Sequence, residues 1–149
     1  MEKATPVNLD GAIVDTNVVV RFLRSEDRQH AEAVRVFEAA QAAGNQLVLL
    51  DVVVAETIFV LTAHYGLGRE AVADSMAKII NHGAIGVANP AILGEALARY
   101  ATTKLHFVDC YLVAMAKAAG REIATFDKEL AARSGERGAG SGERGTENR

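Results

Sequence analysis

The sequence has a single cysteine, Cys110, so no intramolecular disulfide can form, and a lone thiol fits a reducing cytosol. It has no CxxC and no Cys/His ligand spacing, which argues against a structural zinc. No apolar run approaches the ~20 residues needed to span a bilayer. Residues 1–6, Met-Glu-Lys-Ala-Thr-Pro, offer no apolar core after a basic start, so no secretory signal is expected. Neither GxGxxG nor GxxxxGK[ST] occurs, which disfavours dinucleotide and P-loop binding. There is no excess of positive charge either. Lys and Arg number 16 against 19 Asp and Glu, a net charge of −3, which at first sight opposes a nucleic-acid partner. Together these absences point to a soluble, cytoplasmic protein.

The 149 residues, half of them hydrophobic, suit one domain with a sizeable core. Residues 1–10 are polar and aperiodic, as expected of a flexible arm. Residues 11–133 form the folded unit. Residues 134–149 contain no large apolar side chain and repeat Ser-Gly-Glu-Arg-Gly at Ser134–Gly138 and Ser141–Gly145. Such a tail cannot offset its ordering entropy and is expected to be disordered. Its three Glu and three Arg make it neutral, so it is not a basic binding tail.

Within the folded unit, short β-branched runs alternate with helical stretches. Ala12–Val14, Leu47–Leu50, Ala84–Val87 and Glu122–Phe126 suit buried strands. Helices are expected over Ala31–Ala43, Val52–Tyr65, Arg69–Ile80, from Pro90 onward, and over Phe107–Ala119, with Gly44, Gly66, Gly83 and Gly120 as stops. This alternation implies an α/β fold, a parallel sheet with helices on both faces. In such a sheet functional residues collect beyond the carboxyl ends of the strands.

Four acids stand out against apolar neighbours. Asp15 follows Ala12-Ile13-Val14, and Asp127 follows Ile123-Ala124-Thr125-Phe126. Glu56 interrupts the apolar Val52–Leu61 helix, and Asp109 interrupts Phe107–Val113. Each also has a local reading. Asp15 or Asp127 can cap a following helix, and Asp109 can sit favourably in a first turn. Glu56, placed inside a helix expected to be buried, has no such alternative. Asp51, at a strand–helix junction, is accounted for by N-capping and left outside the set. If the fold gathers the four acids, their repulsion and desolvation call for a cation, and oxygen-only ligands favour Mg²⁺ or Mn²⁺.

Four motifs in order resemble those of PIN-domain ribonucleases, particularly the stand-alone VapC-type toxins of bacterial toxin–antitoxin pairs. They read Ile13-Val14-Asp15-Thr16-Asn17, Val54-Ala55-Glu56-Thr57, Phe107-Val108-Asp109-Cys110-Tyr111 and Ala124-Thr125-Phe126-Asp127-Lys128, and the resemblance covers about Ala12 to Ala132. It implies a three-layer α/β/α fold with a parallel central sheet of four or five strands. It also implies one or two Mg²⁺ or Mn²⁺ ions and endonucleolytic cleavage of RNA. Carried over by motif, Asp15 and Asp109 are the most direct metal ligands, Glu56 and Asp127 complete the pocket, and Thr125 orients its neighbours. A cognate antitoxin and a homodimer are implied partners, with Val52–Tyr65 and Arg69–Ile80 as possible dimer faces.

The charge objection weakens on this reading. Outside the neutral tail the chain carries 13 basic and 16 acidic residues; setting aside the four site acids leaves 13 against 12. Arg21, Arg24, Arg28 and Lys104 are candidate phosphate contacts, each with a solvated-surface alternative. The four histidines are expected at the surface, with His106 the one placed near a motif. Two alternatives stay open: a PIN-fold binding module without catalysis, and a nuclease of the same fold acting on another nucleic acid. A haloacid-dehalogenase-type phosphatase would need an Asp where Asn17 stands, and a receiver domain would need paired acids in place of Ala12-Ile13-Val14.

Overall fold

The computed structural model describes residues 9–134. The expected N-terminal arm falls outside them apart from Leu9 and Asp10, and the expected tail falls outside them apart from Ser134. Seven helices and two strands follow in the order α1 (Thr16–Leu23), α2 (His30–Ala42), β1 (Leu47–Val48), α3 (Asp51–Ala63), α4 (Arg69–Ile80), β2 (Ile85–Gly86), α5 (Pro90–Thr102), α6 (Phe107–Ala119) and α7 (Lys128–Ser134) among the described residues. None of these helices is long and apolar enough to cross a membrane.

Local chemistry accounts for many of the boundaries. Pro90, lacking an N–H that a helix start would leave unpaired anyway, opens α5. Gly120 closes α6 in the left-handed conformation, φ +62°, where a side chain would strain the backbone. Asp15 caps α1 and Asp127 caps α7 through their carboxylates.

β1 pairs in parallel with β2, Leu47 opposite Ile85 and Val48 opposite Gly86. On its other side, Ile13 bridges Val48 in parallel. Val14 N donates to Val48 O (3.0 Å) and Val48 N donates to Ala12 O (2.8 Å). The three segments therefore run side by side, and Asp15 emerges at the carboxyl end of the first. Gly11 lies so close to this ladder that a methyl group on it would run into the carbonyl of Gln46.

The sheet is smaller than the four or five strands expected from sequence. Ala12–Val14 supplies one bridge, and Glu122–Phe126 forms no strand among the described residues. Its Phe126 ring stands wholly in solvent. An apolar, β-branched run can become a strand only where a neighbour takes up its backbone N–H and C=O groups.

The core joins the sheet to the inner faces of the helices. Leu49, Val54, Leu61, Met76, Leu93 and Val113 are fully buried, and α3–α6 pack in succession against one another. Phe37 of α2 is also fully buried and stacks on Phe22 of α1, ring centroids 3.9 Å apart. His82 meets both rings edge-on and accepts a hydrogen bond from Ala84 N (3.0 Å). His30 is likewise half-buried, its Nδ1 2.8 Å from Arg21 O. These two histidines are thus partners in packing instead of the surface residues expected. Arg69 ties α4 to the end of α5: its guanidinium lies 3.9 Å over the Tyr100 ring, Nε donates to Tyr100 O (2.9 Å), and Leu105 O accepts from the same group.

Asp51 is the first residue of α3 and does not cap it; the cap position is Leu50. Its carboxylate instead accepts a hydrogen bond from the Tyr111 hydroxyl of α6, clamping the two helices together. That bond, aided by burial, pushes the Tyr111 hydroxyl up to about 12 from 10.0. A proton held more tightly in the folded state stabilises fully below pH 10, and the contribution is lost as pH rises through about 12. Thermal melts across pH 8–12 should therefore show an alkaline loss of stability that is smaller in Tyr111→Phe. At pH 8 that variant should be less stable by about 1–2 kcal/mol. A residual alkaline loss is expected in both proteins, because burial also pushes Tyr100 and Cys110 up.

Candidate active site

The first motif meets α3 at a cleft of about 370 Å³. Asp15, Thr16, Asn17 and Arg21 come from α1 and its cap, Glu56 comes from the outward side of α3, and Tyr65 lies just beyond that helix. α3 buries Val54, Thr57, Ile58 and Leu61, which leaves Glu56 on its outward side, while the buried Thr16 and Val20 of α1 form part of the cleft wall. Glu56 is consequently exposed, and so are its neighbours Val52 and Phe59. The expectation that it sits inside a buried helix does not hold, because α3 is apolar on nearly all sides yet packs on only one stripe.

Asp15 is exposed, and its Oδ1 accepts from Thr16 N (2.8 Å). This cap occupies one carboxylate oxygen; among the described residues Oδ2 accepts no hydrogen bond from protein. Glu56 and Arg21 form no ion pair among the described residues. Asp27 also lines the cleft, while its Oδ1 accepts from Gln29 N (2.8 Å). With three carboxylates and one guanidinium, the cleft carries a negative balance, a setting suited to a cation.

The other two acids stand elsewhere. Asp109 lies half-buried in the first turn of α6 and is not among the residues lining this cleft. Asp127 is exposed and caps α7, with Oδ1 accepting from Glu129 N (2.9 Å) and Leu130 N (3.1 Å). Its own N–H donates to Thr125 Oγ1 (3.0 Å), so the Thr125 hydroxyl fixes the start of this turn. The structure therefore brings together Asp15 and Glu56 and leaves Asp109 and Asp127 on α6 and α7.

The donors in the cleft are hard oxygens. Besides the Asp15, Glu56 and Asp27 carboxylates there is Thr16 Oγ1, buried and without a hydrogen-bond partner among the described residues. No three His, Cys, Asp or Glu side chains converge as a metal cage among the described residues. This set fits an ion of the Mg²⁺ kind, which keeps several waters and needs one or two carboxylates together with substrate phosphate. It does not fit a cation enclosed entirely by protein ligands.

Sequence reasoning missed two features of this cleft. Tyr65 stands out in the sequence only as the end of a helix, and Asp27 does not stand out at all. Arg24, one of the candidate phosphate contacts, is instead ion-paired with Glu26 and lies 4.3 Å over the Tyr65 ring. Arg28 is exposed.

The PIN domain family model matches residues 12–136, most of the chain and all four motifs. The chain belongs to the PIN domain family. Among curated proteins, this PIN domain is similar to the VapC ribonuclease of Aquifex aeolicus (strain VF5). The two are 26% identical over 117 residues, covering 78% of this chain and 87% of that protein. No solved structure gave a significant match.

Proposed function

We propose that this PIN domain is a metal-dependent endoribonuclease that hydrolyses RNA phosphodiester bonds in the cytoplasm, as the toxin of a toxin–antitoxin pair. The observation that carries the reading is the Asp15–Glu56 cleft. In a PIN domain similar to a VapC ribonuclease, two carboxylates that form no ion pair among the described residues open onto one cleft beside a buried hydroxyl without a hydrogen-bond partner there.

In this proposal Asp15 and Glu56 hold Mg²⁺ or Mn²⁺. Such an ion, when bound, lowers the pKa of its water and offsets charge on the phosphoryl oxygens. The chain's own residues do the rest. Arg21, without an ion-pair partner among the described residues, attracts and orients the scissile phosphate from the same cleft. Capping by Asp15 fixes its carboxylate at the helix start. The Asp51–Tyr111 clamp holds the helix of Glu56 against that of Asp109.

Asp109 and Asp127 complete the acidic set by motif order, with Thr125 steadying Asp127. A fuller sheet would serve this arrangement. Ile13 is 68% exposed and its segment is bridged to β1 alone, and the apolar run Glu122–Phe126 has no ladder partner among the described residues. Pairing of that run beside Ala12–Val14 would add a strand, cover the Phe126 ring and bring Asp127 to the end of the sheet where Asp15 lies. Val52, Phe59 and Val108, all more than half exposed, form the apolar ground on which a second copy would dock. The antitoxin would block the cleft.

The test is cleavage of single-stranded and structured RNA by the purified chain. Activity is expected with Mg²⁺ or Mn²⁺, none with EDTA, and recovery on adding the ion back. Cleavage indifferent to EDTA would remove the metal from the proposal; cleavage of DNA alone would redirect it to another nucleic acid.

A further inference from the structure

We propose that Tyr65, backed by Arg24, is a stacking platform for an unpaired RNA base at the nucleotide next to the cleavage point. The inference rests on the ribonuclease reading and adds to that site a substrate-positioning residue outside the acidic set.

The geometry has three parts. Tyr65 lines the same cleft as Asp15, Glu56 and Arg21, and it remains 41% exposed. The Arg24 guanidinium lies 4.3 Å from its ring centroid and is itself anchored by an ion pair with Glu26. One side of the ring is therefore held by a cation while the ring still opens to the cleft. Finally, Gly66 turns the chain immediately after the helix end, with φ +62°, and sets Tyr65 at the rim. A base gains by stacking on the exposed part of such a ring, and every base has a π face. The adjacent Arg21 suits the phosphate on one side of that base. A stacked base would hold the backbone in the cleft despite the chain's low positive charge, a task that charge alone does poorly here.

The experiment uses the full chain with Tyr65→Phe, Tyr65→Leu and Tyr65→Ala. Its probe is a single-stranded RNA hexamer carrying one 2-aminopurine, whose fluorescence drops when it stacks. Steady-state cleavage of the same RNA is measured with Mg²⁺. Tyr65→Phe should keep quenching and kcat/KM near the parent values. Tyr65→Leu, which keeps apolar bulk, and Tyr65→Ala should lose the quenching and lower kcat/KM roughly five- to 150-fold, chiefly through KM. Equal cleavage and quenching in the Leu variant and the parent would overturn the platform while leaving the ribonuclease intact. A parent chain that neither binds nor cleaves RNA would instead overturn the ribonuclease reading itself. Loss of antitoxin binding in Tyr65→Leu, with RNA binding unchanged, would assign the ring to a protein contact and overturn the proposal.

Discussion

Asp15→Asn is expected to abolish RNA cleavage, by roughly 100-fold or more, with little change in thermal stability. Asparagine and aspartate are nearly equal as N-caps, so the bond from Thr16 N survives the exchange. What disappears is the charge on the second oxygen, which the cap does not use. Asp15→Ala removes both. It should lose activity to the same degree and also about 1 kcal/mol of stability, because α1 then starts with an unpaired N–H. The pair of variants separates the two roles of one carboxylate. Glu56→Gln, at an exposed position with no hydrogen-bond partner among the described residues, should reduce cleavage with no stability cost. Full cleavage by Asp15→Asn would leave capping as the whole explanation of that residue.

Phe37→Ala should be the most damaging core change, costing about 3–5 kcal/mol. Phe37 is 1% exposed, stacked on Phe22 and flanked by His82, so truncation leaves a cavity between α1, α2 and the turn before β2. That is a large part of the stability of a domain this size. α1 carries Phe22 at one end and the Asp15 cap at the other, so loosening it should also blunt activity at temperatures where the variant is still folded. Chemical denaturation with matched cleavage assays checks both effects; a loss under 1 kcal/mol would mean that the space collapses without strain.

Much of the helical layout is legible in the sequence. α4 and α6 fall on Arg69–Ile80 and Phe107–Ala119, the expected bounds, since apolar spacing and glycine stops agree there. α1 is not legible in the same way. Its eight residues, Thr-Asn-Val-Val-Val-Arg-Phe-Leu, are rich in β-branched side chains and show no clear helical period, so they bound no helix there; the Asp15 cap is the local signal for one. Sheet extent is harder still, because pairing depends on a partner distant in the chain, as Glu122–Phe126 illustrates. The site was legible as a list of acids. Which of them share a space was not: Asp15 and Glu56 meet because α1 packs on α3, a tertiary fact. Tyr65 and Asp27 carry no local signal beyond a helix end and a charge.

Cys110 sits beside Asp109 with no exposed surface, and burial keeps its thiol protonated above the ordinary range. A thiol reagent can reach it only when α6 lifts from its neighbours. In a chain without tryptophan, where the usual optical report of unfolding is lacking, that one sulfur serves as a clock. Its rate of alkylation under native conditions counts the openings of the helix on which the third acid rides.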